Sequence, residues 1–419
     1  MFNREKTRQL RSTYIHLLNR GFFVYTAWLL YGISRVFYFV KLRYNRKTHS
    51  MEEFQYHRIF FKLMLMLKCF PILQQCMFYF TFGAFLWLYT FRVENHEAQN
   101  FHISWIIQAI VLQSVRRLVV FLHSKTDRLV IKELLHEIFY VNSTMERKFG
   151  LIYRCDLSLL SLYLLKLMIF YIMMDSLWHK PYFWWINFFY WVLMEYCILG
   201  YFVYQLLVLN WCFNSTRSLE RFIDHHQNCD GIKESYHHRL TCLFKLHLRI
   251  SKLHKTFNKK LSWLTNCIYL TIFTCILNMQ MLIECSVFGI DPLENKFYII
   301  SDGCLGPVFV PILNVLIMAV CTDRFRNSEL TLQQQIVIIN EMYMTKGKHL
   351  RGLNVINNEH SSLIIHQKLD PMQNLIILST KCDREFAFDY ILTVITTALS
   401  FIQYTISNGG KIDECQSHK

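Results

Sequence analysis

The sequence predicts a polytopic all-α membrane protein, on three observations. Its 419 residues are 53% hydrophobic and 16% aromatic with little Gly or Pro, too apolar for a soluble domain of this length. The apolar residues gather into stretches at 21–40, 69–91, 101–122, 157–174, 182–213, 262–287, 297–321 and 388–407. Lys and Arg fall between those stretches and alternate in density from one connection to the next, the pattern of membrane topology. The net charge of +15 is thus distributed over loops and does not form the single basic patch that nucleic acid requires.

The first stretch, 21–40, contains Arg35 and has basic residues on both sides (Arg11 and Arg20 before it, Lys41, Arg43, Arg46 and Lys47 after it). A true span would carry one of those clusters out of the cytoplasm. It is therefore read as an interfacial or re-entrant helix within a cytoplasmic N-terminal region, residues 1–68. No cleavable signal is expected, because the first 20 residues hold Arg4, Lys6, Arg8, Arg11 and Arg20 without an apolar core.

Seven transmembrane helices remain. Residues 69–321 hold helices 1–6, residues 322–387 a cytoplasmic loop, 388–407 the seventh helix and 408–419 an extracellular tail. With the N-terminus cytoplasmic and the C-terminus extracellular, 37 of the 45 Lys and Arg fall inside and 5 outside. A G-protein-coupled receptor would have the reverse orientation. The outer loops are short, whereas 214–260 and 322–370 read as amphipathic cytoplasmic helices. Asp323-Arg324-Phe325, just beyond the sixth span, reads as a solvated turn.

Charges inside spans need a reason. Arg116 and Arg117 lie near the cytoplasmic end of the second span and snorkel. Lys166 is mid-span in the third and needs a partner, for which Glu195 in the middle of the fourth is the best candidate. Glu284 sits in the outer half of the fifth. Asp302, close to Gly303, Gly306, Pro307 and Pro311, suggests an irregular sixth helix facing a cavity. The 14 Cys show no C-x-x-C spacing, and the pairs His225-His226 and His237-His238 match no ligand pattern, so neither metal nor cofactor is expected. Asn142 and Asn214 head glycosylation sequons that this topology keeps inside and unmodified. A membrane enzyme or transporter would need clustered acids or His within the spans, and these are sparse.

The seventh span carries Asp389, Thr393, Thr396, Ser400, Gln403 and Ser407 at steps of 4, 3, 4, 3 and 4, one face of an α-helix. Such a stripe turns away from lipid, either to pack against another helix or to line water. Asp389 reads either as a helix cap or as a cation-concentrating group at a pore mouth. Gln403 can offer a carbonyl oxygen to a cation, and Tyr404 can block by size.

Thr396-Thr397, five residues, then Gln403-Tyr404 is similar to the last-helix motif of the insect gustatory receptors, relatives of the insect odorant receptors, which have Thr-Tyr, five hydrophobics and Gln-Phe. With the seven-span topology and short outer loops, the whole chain resembles that family. The resemblance implies a homo- or heterotetrameric, ligand-gated, non-selective cation channel in the plasma membrane of gustatory neuron dendrites. Its partners would be a small-molecule tastant, other receptor subunits and membrane lipid. The last helix would line the pore, with Ser400, Thr396 and Asp389 on its wall and Gln403 and Tyr404 at the gate. The cytoplasmic ends of helices 4–6, with the segment before helix 7, would form an anchor region. Tyr404 in place of Phe adds a hydroxyl to the plug. For the tastant, Trp105, Trp184 and Tyr298 offer aromatic walls, although the interfacial aromatic belt accounts for such residues too. Few acids and many aromatics favour bitter, alkaloid-like compounds over sugars.

Overall fold

A computed structural model describes residues 19–29, 31–32, 42–45, 50–53, 114–115, 118, 128–154, 156–176, 182–227, 234–260, 305–346, 376–377 and 380–417, with scattered positions between 264 and 280. The first expected span and most of the second and fifth lie outside the described residues.

Among the described residues six long helices dominate: α1 (Arg128–Phe149), α2 (Leu157–Ser176), α3 (Tyr182–Gln227), α4 (Glu234–Lys260), α5 (Leu305–Lys346) and α6 (Arg384–Ser417). Among the described residues three stretches are long and apolar enough to cross a membrane, Trp191–Asp224, Gly306–Ile339 and Arg384–Tyr404, and α2 contributes a shorter apolar run, Leu157–Ile172. The molecule is thus an almost wholly helical membrane protein. Among the described residues two small hairpins are additions to the all-α expectation. β1 (Leu42–Asn45) pairs with β2 (Ser50–Glu53), and β3 (Ile376–Ile377) with β4 (Thr380–Lys381). In the first, the Glu52 carboxylate accepts from Asn45 Nδ2 at 2.7 Å, a side-chain bond that ties the two strands together.

Helix boundaries have local causes. Gly150 follows α1 with φ +68°, the left-handed position that closes a helix C-terminus. Residues 151–154 then form a non-helical elbow, and Asp156 caps α2 by accepting from the Ser158 amide at 3.0 Å. Asp383 caps α6 in the same way through the Phe386 amide at 3.1 Å.

The 46 residues of α3 and 42 of α5 give rods of about 69 and 63 Å, roughly twice the thickness of a hydrocarbon core. Both run out past the elbow, so the connections expected after 213 and 321 begin as unbroken continuations of the spans. The sequence expectation of a solvated turn at 323–325 is therefore corrected: these residues are helical and Phe325 is buried. Of the irregular helix expected around Asp302, Gly303, Gly306, Pro307 and Pro311, the first two positions lie outside the described residues. Pro307 lies in the first turn, where its missing N–H costs nothing, and α5 continues through Pro311.

Two cores explain the length of these rods. The larger gathers Trp191, Phe202 and Trp211 of α3, Ile250 and Phe257 of α4, Val315 and Met318 of α5, and Val394 of α6. The second lies beyond the elbow, where Leu219 and Phe222 of α3, Leu240 and Phe244 of α4, and Leu332, Ile336 and Ile339 of α5 interdigitate. Burying that second set keeps α3 and α5 helical where their sequence has turned polar.

Candidate pore-lining helix and its supports

α6 presents three faces. Ala387, Tyr390, Val394, Ala398 and Ile402 are buried and place one face against the body of the chain, with α5 as the principal neighbour. Asp389, Thr393, Thr396, Ser400, Gln403 and Ser407 are all exposed, on a face roughly 160° around the helix from the buried one. Between them runs an exposed apolar ridge of Phe388, Leu392, Ile395 and Leu399. Tyr404 is 69% exposed and flanks the polar stripe.

The hydroxyls of that stripe are committed to their own helix. Thr393 donates to Asp389 O at 2.7 Å, Thr396 to Leu392 O at 2.8 Å, Ser400 to Thr396 O at 2.8 Å and Ser407 to Gln403 O at 2.8 Å. Each hydroxyl spends its proton internally and turns only lone pairs outward. With the Asp389 carboxylate, the edge offers mainly acceptors, a surface suited to cations. One reading of Asp389 is corrected. The helix begins at Arg384 and is capped by Asp383, so Asp389 lies in the second turn and caps nothing.

Lys166 and Glu195 are brought together. Lys166 of α2 and Glu195 of α3 form an ion pair and are 5% and 7% exposed. Sequence reasoning missed the third member, Asn314 of α5, whose Oδ1 accepts from Lys166 Nζ at 2.7 Å while its Nδ2 donates to Glu195 Oε1 at 3.4 Å. The ammonium also lies 5.8 Å from the Phe202 ring centroid. Lys166 is nine residues into α2, roughly 14 Å from its start, so the cluster pins three helices deep in the apolar part of the bundle.

At the elbow a second polar network fastens the chain. Asn214 accepts from the Ile152 amide at 2.9 Å and donates to the Ile152 carbonyl at 2.9 Å, and Asn210 accepts from the Arg154 amide at 2.6 Å. Asn142 accepts from Trp211 Nε1 at 3.1 Å and contacts the Tyr153 hydroxyl. Both sequon asparagines are therefore structural clamps, and Asn214 is only 3% exposed. The N-terminal helical residues 19–29 dock on the same elbow, through Asn19 donating to Tyr153 O at 3.2 Å, Phe23 against the Tyr153 ring at 5.3 Å and Arg20 paired with Glu146 at 2.7 Å.

Asp323 and Arg324, adjacent on α5, reach two different helices. Arg324 pairs with Asp156, the α2 cap, at 2.7 Å, and Asp323 pairs with Arg384 at the first position of α6. Burial alone would raise the Asp156 carboxyl. Its hydrogen bonds from Ser158 and the Arg324 charge outweigh that and hold it below the ordinary aspartate value. Farther along the elbow end, Arg249 of α4 grips Glu137 of α1 with two bonds of 2.6 Å and lies 3.9 Å over the Tyr140 ring. Those bonds, against a smaller cost of burial, lower the Glu137 carboxyl below its ordinary value.

Of the aromatic candidates for a tastant wall, Trp184 falls in the first turn of α3, while Trp105 and Tyr298 lie outside the described residues, as do Arg116, Arg117, Glu284 and Asp302. Among the described residues no group of His, Cys, Asp and Glu is arranged to hold a metal.

No protein-family model matches the chain. It is, however, 52% identical over 404 residues to gustatory receptor-like 43a of Drosophila melanogaster, an alignment covering 96% of this chain and 94% of that relative. Similarity of that degree over nearly the full length of both proteins means that the chain belongs to the insect gustatory receptor family.

Proposed function

We propose that this chemoreceptor is one subunit of a ligand-gated, non-selective cation channel, with α6 of each copy lining a shared aqueous axis. The observation that carries the reading is the opposition of faces on α6, whose six polar side chains lie uncovered on the side away from the subunit's own core. Six polar residues along one edge are costly in lipid, and water between copies of the helix removes that cost. A homo- or heterotetramer places four such edges around one axis. Asp389, near the start of α6, then forms an acidic ring at one mouth; Thr396 and Ser400 follow along the wall, with Gln403 and Tyr404 further along. The charge asymmetry of the loops supports a cytoplasmic elbow end and, with it, a cytoplasmic Asp389 mouth.

In this reading the site of action is the plasma membrane of gustatory dendrites and the stimulus an aversive, alkaloid-like molecule. The stimulus class rests on the aromatic, acid-poor composition of the outer half-spans, and a sugar is the competing class. Trp105, Trp184 and Tyr298 are the proposed wall of that pocket. The test is Gln403→Ala in the expressed receptor. The relative permeability of sodium and potassium, and sensitivity to pore blockers, should change at unchanged surface abundance. Identical permeation would remove Gln403 from the gate.

A further inference from the structure

Asp323 and Arg324 take no part in the pore wall, yet each contacts the starting point of a different helix. Consecutive helical residues point about 100° apart, so a single turn of a rod can address several neighbours. Here Asp323 takes Arg384 of α6, Arg324 takes Asp156 of α2, and Phe325, buried, meets the His254 ring of α4 at 4.9 Å. The same α5, nine residues earlier, supplies Asn314 to the buried Lys166–Glu195 cluster. One helix thus touches the bundle's interior and the base of the stripe helix.

Arg384 is an unusual choice for its place. The first turn of a helix carries partial positive charge and favours acids, as Glu385 next to it illustrates. A guanidinium at that position is tolerable with a carboxylate facing it, and Asp323, largely shielded with its side chain 20% exposed, supplies one. Asp383 meanwhile caps the helix. The arrangement gives α6 a firm cap and a charged tether to α5, and it is the tether that depends on where α5 sits.

We propose that Asp323 is a positioning residue for gating, its pairing with Arg384 setting the resting pose of the polar-striped helix relative to α5. The inference rests on the channel reading of α6. It differs from simple scaffolding in one respect: a scaffold contact changes how much receptor reaches the surface, whereas a positioning contact changes how readily each surface receptor opens.

The full-length chain and the variants Asp323→Asn, Asp323→Arg, Arg384→Asp and the double reversal Asp323→Arg/Arg384→Asp are expressed in oocytes. Sodium current is recorded at rest and under quinine, denatonium and sucrose, and normalised to surface-biotinylated receptor. The single reversals should shift normalised current by about threefold, the scale an accessible ion pair supplies, and the double reversal should return it toward the parent value. Asp323→Asn serves where a reversal fails to reach the surface. Parent-like normalised current in every variant overturns the positioning role and leaves the channel reading standing. Loss of surface receptor in all Asp323 variants, the double reversal included, overturns it in favour of scaffolding. Absence of current from the parent chain itself, at normal surface abundance, overturns the channel reading and this inference with it.

Discussion

Lys166 donates to Asn314, 148 residues away in sequence, at 2.7 Å, joining two helices in a buried part of the bundle. The same ammonium is paired with Glu195, so a positive charge, a negative charge and an amide dipole close on one another. Removing a single member leaves the others buried without compensation.

Glu195→Gln should therefore destabilise the receptor by about 3–5 kcal/mol, and Lys166→Met/Glu195→Leu should recover most of that loss because no charge is left stranded. Fluorescence-detected thermal unfolding in detergent measures both. Equal stability of Glu195→Gln and the parent would show that the ion pair contributes nothing.

Asn214→Ala should cost about 2–3 kcal/mol, since it frees the Ile152 amide and carbonyl in a tightly packed elbow. Because the Asn214 side-chain amide donates to the Ile152 and Asn210 carbonyls and that of Asn142 to the Tyr153 hydroxyl, neither asparagine should carry sugar. Treatment with an N-glycosidase should leave electrophoretic mobility unchanged, and a shift traced to either site would contradict the fold at the elbow.

The Glu137–Arg249 clamp predicts a pH effect with a definite sign. The Glu137 carboxyl titrates below its unfolded value, so its contribution is fully present above about pH 4.3 and is lost as pH falls through the lower, folded value. Both side chains are partly exposed, so the amount should not exceed about 1 kcal/mol. Glu137→Gln should flatten the acid limb of the stability curve and leave neutral stability lower by that amount. An unchanged acid limb would sink the claim.

Thr396→Val/Ser400→Ala tests the stripe from another side. Both hydroxyls donate only to their own backbone, so folding and surface abundance should change by less than about 1 kcal/mol equivalent. If α6 lines a pore as proposed, cation conductance should fall, because outward lone pairs are removed from its wall. On the same proposal, Asp389→Asn should act at the mouth, lowering single-channel current most strongly at low ionic strength.

What the sequence disclosed follows from how restrictive each signal was. A cation in mid-span has few ways to exist in lipid, so Lys166 pointed to a carboxylate, and Glu195 was the acid at matching depth. Asn314 could not be chosen in the same way, because an amide in an apolar run satisfies itself with many partners. The stripe of α6 was legible because period and polarity agree over six residues. The boundary at 321 misled, because Asp323, Arg324 and Arg326 look like the start of a loop, whereas Leu332, Ile336 and Ile339 keep the helix going by burial against α3 and α4. Tertiary packing decided there, and local composition did not. The elbow was hidden for a different reason: Asn142 and Asn214 carry a modification signature that masks their role as clamps.

The uninterrupted length of α5 has a mechanical consequence. A rod of 42 residues, about 63 Å, that swings by 5° about its midpoint carries each tip sideways by roughly 3 Å, close to the width of a hydrated opening. Very small angular changes at one end of α5 can thus arrive at the other as displacements large enough to matter, with no need for any residue in between to change its rotamer.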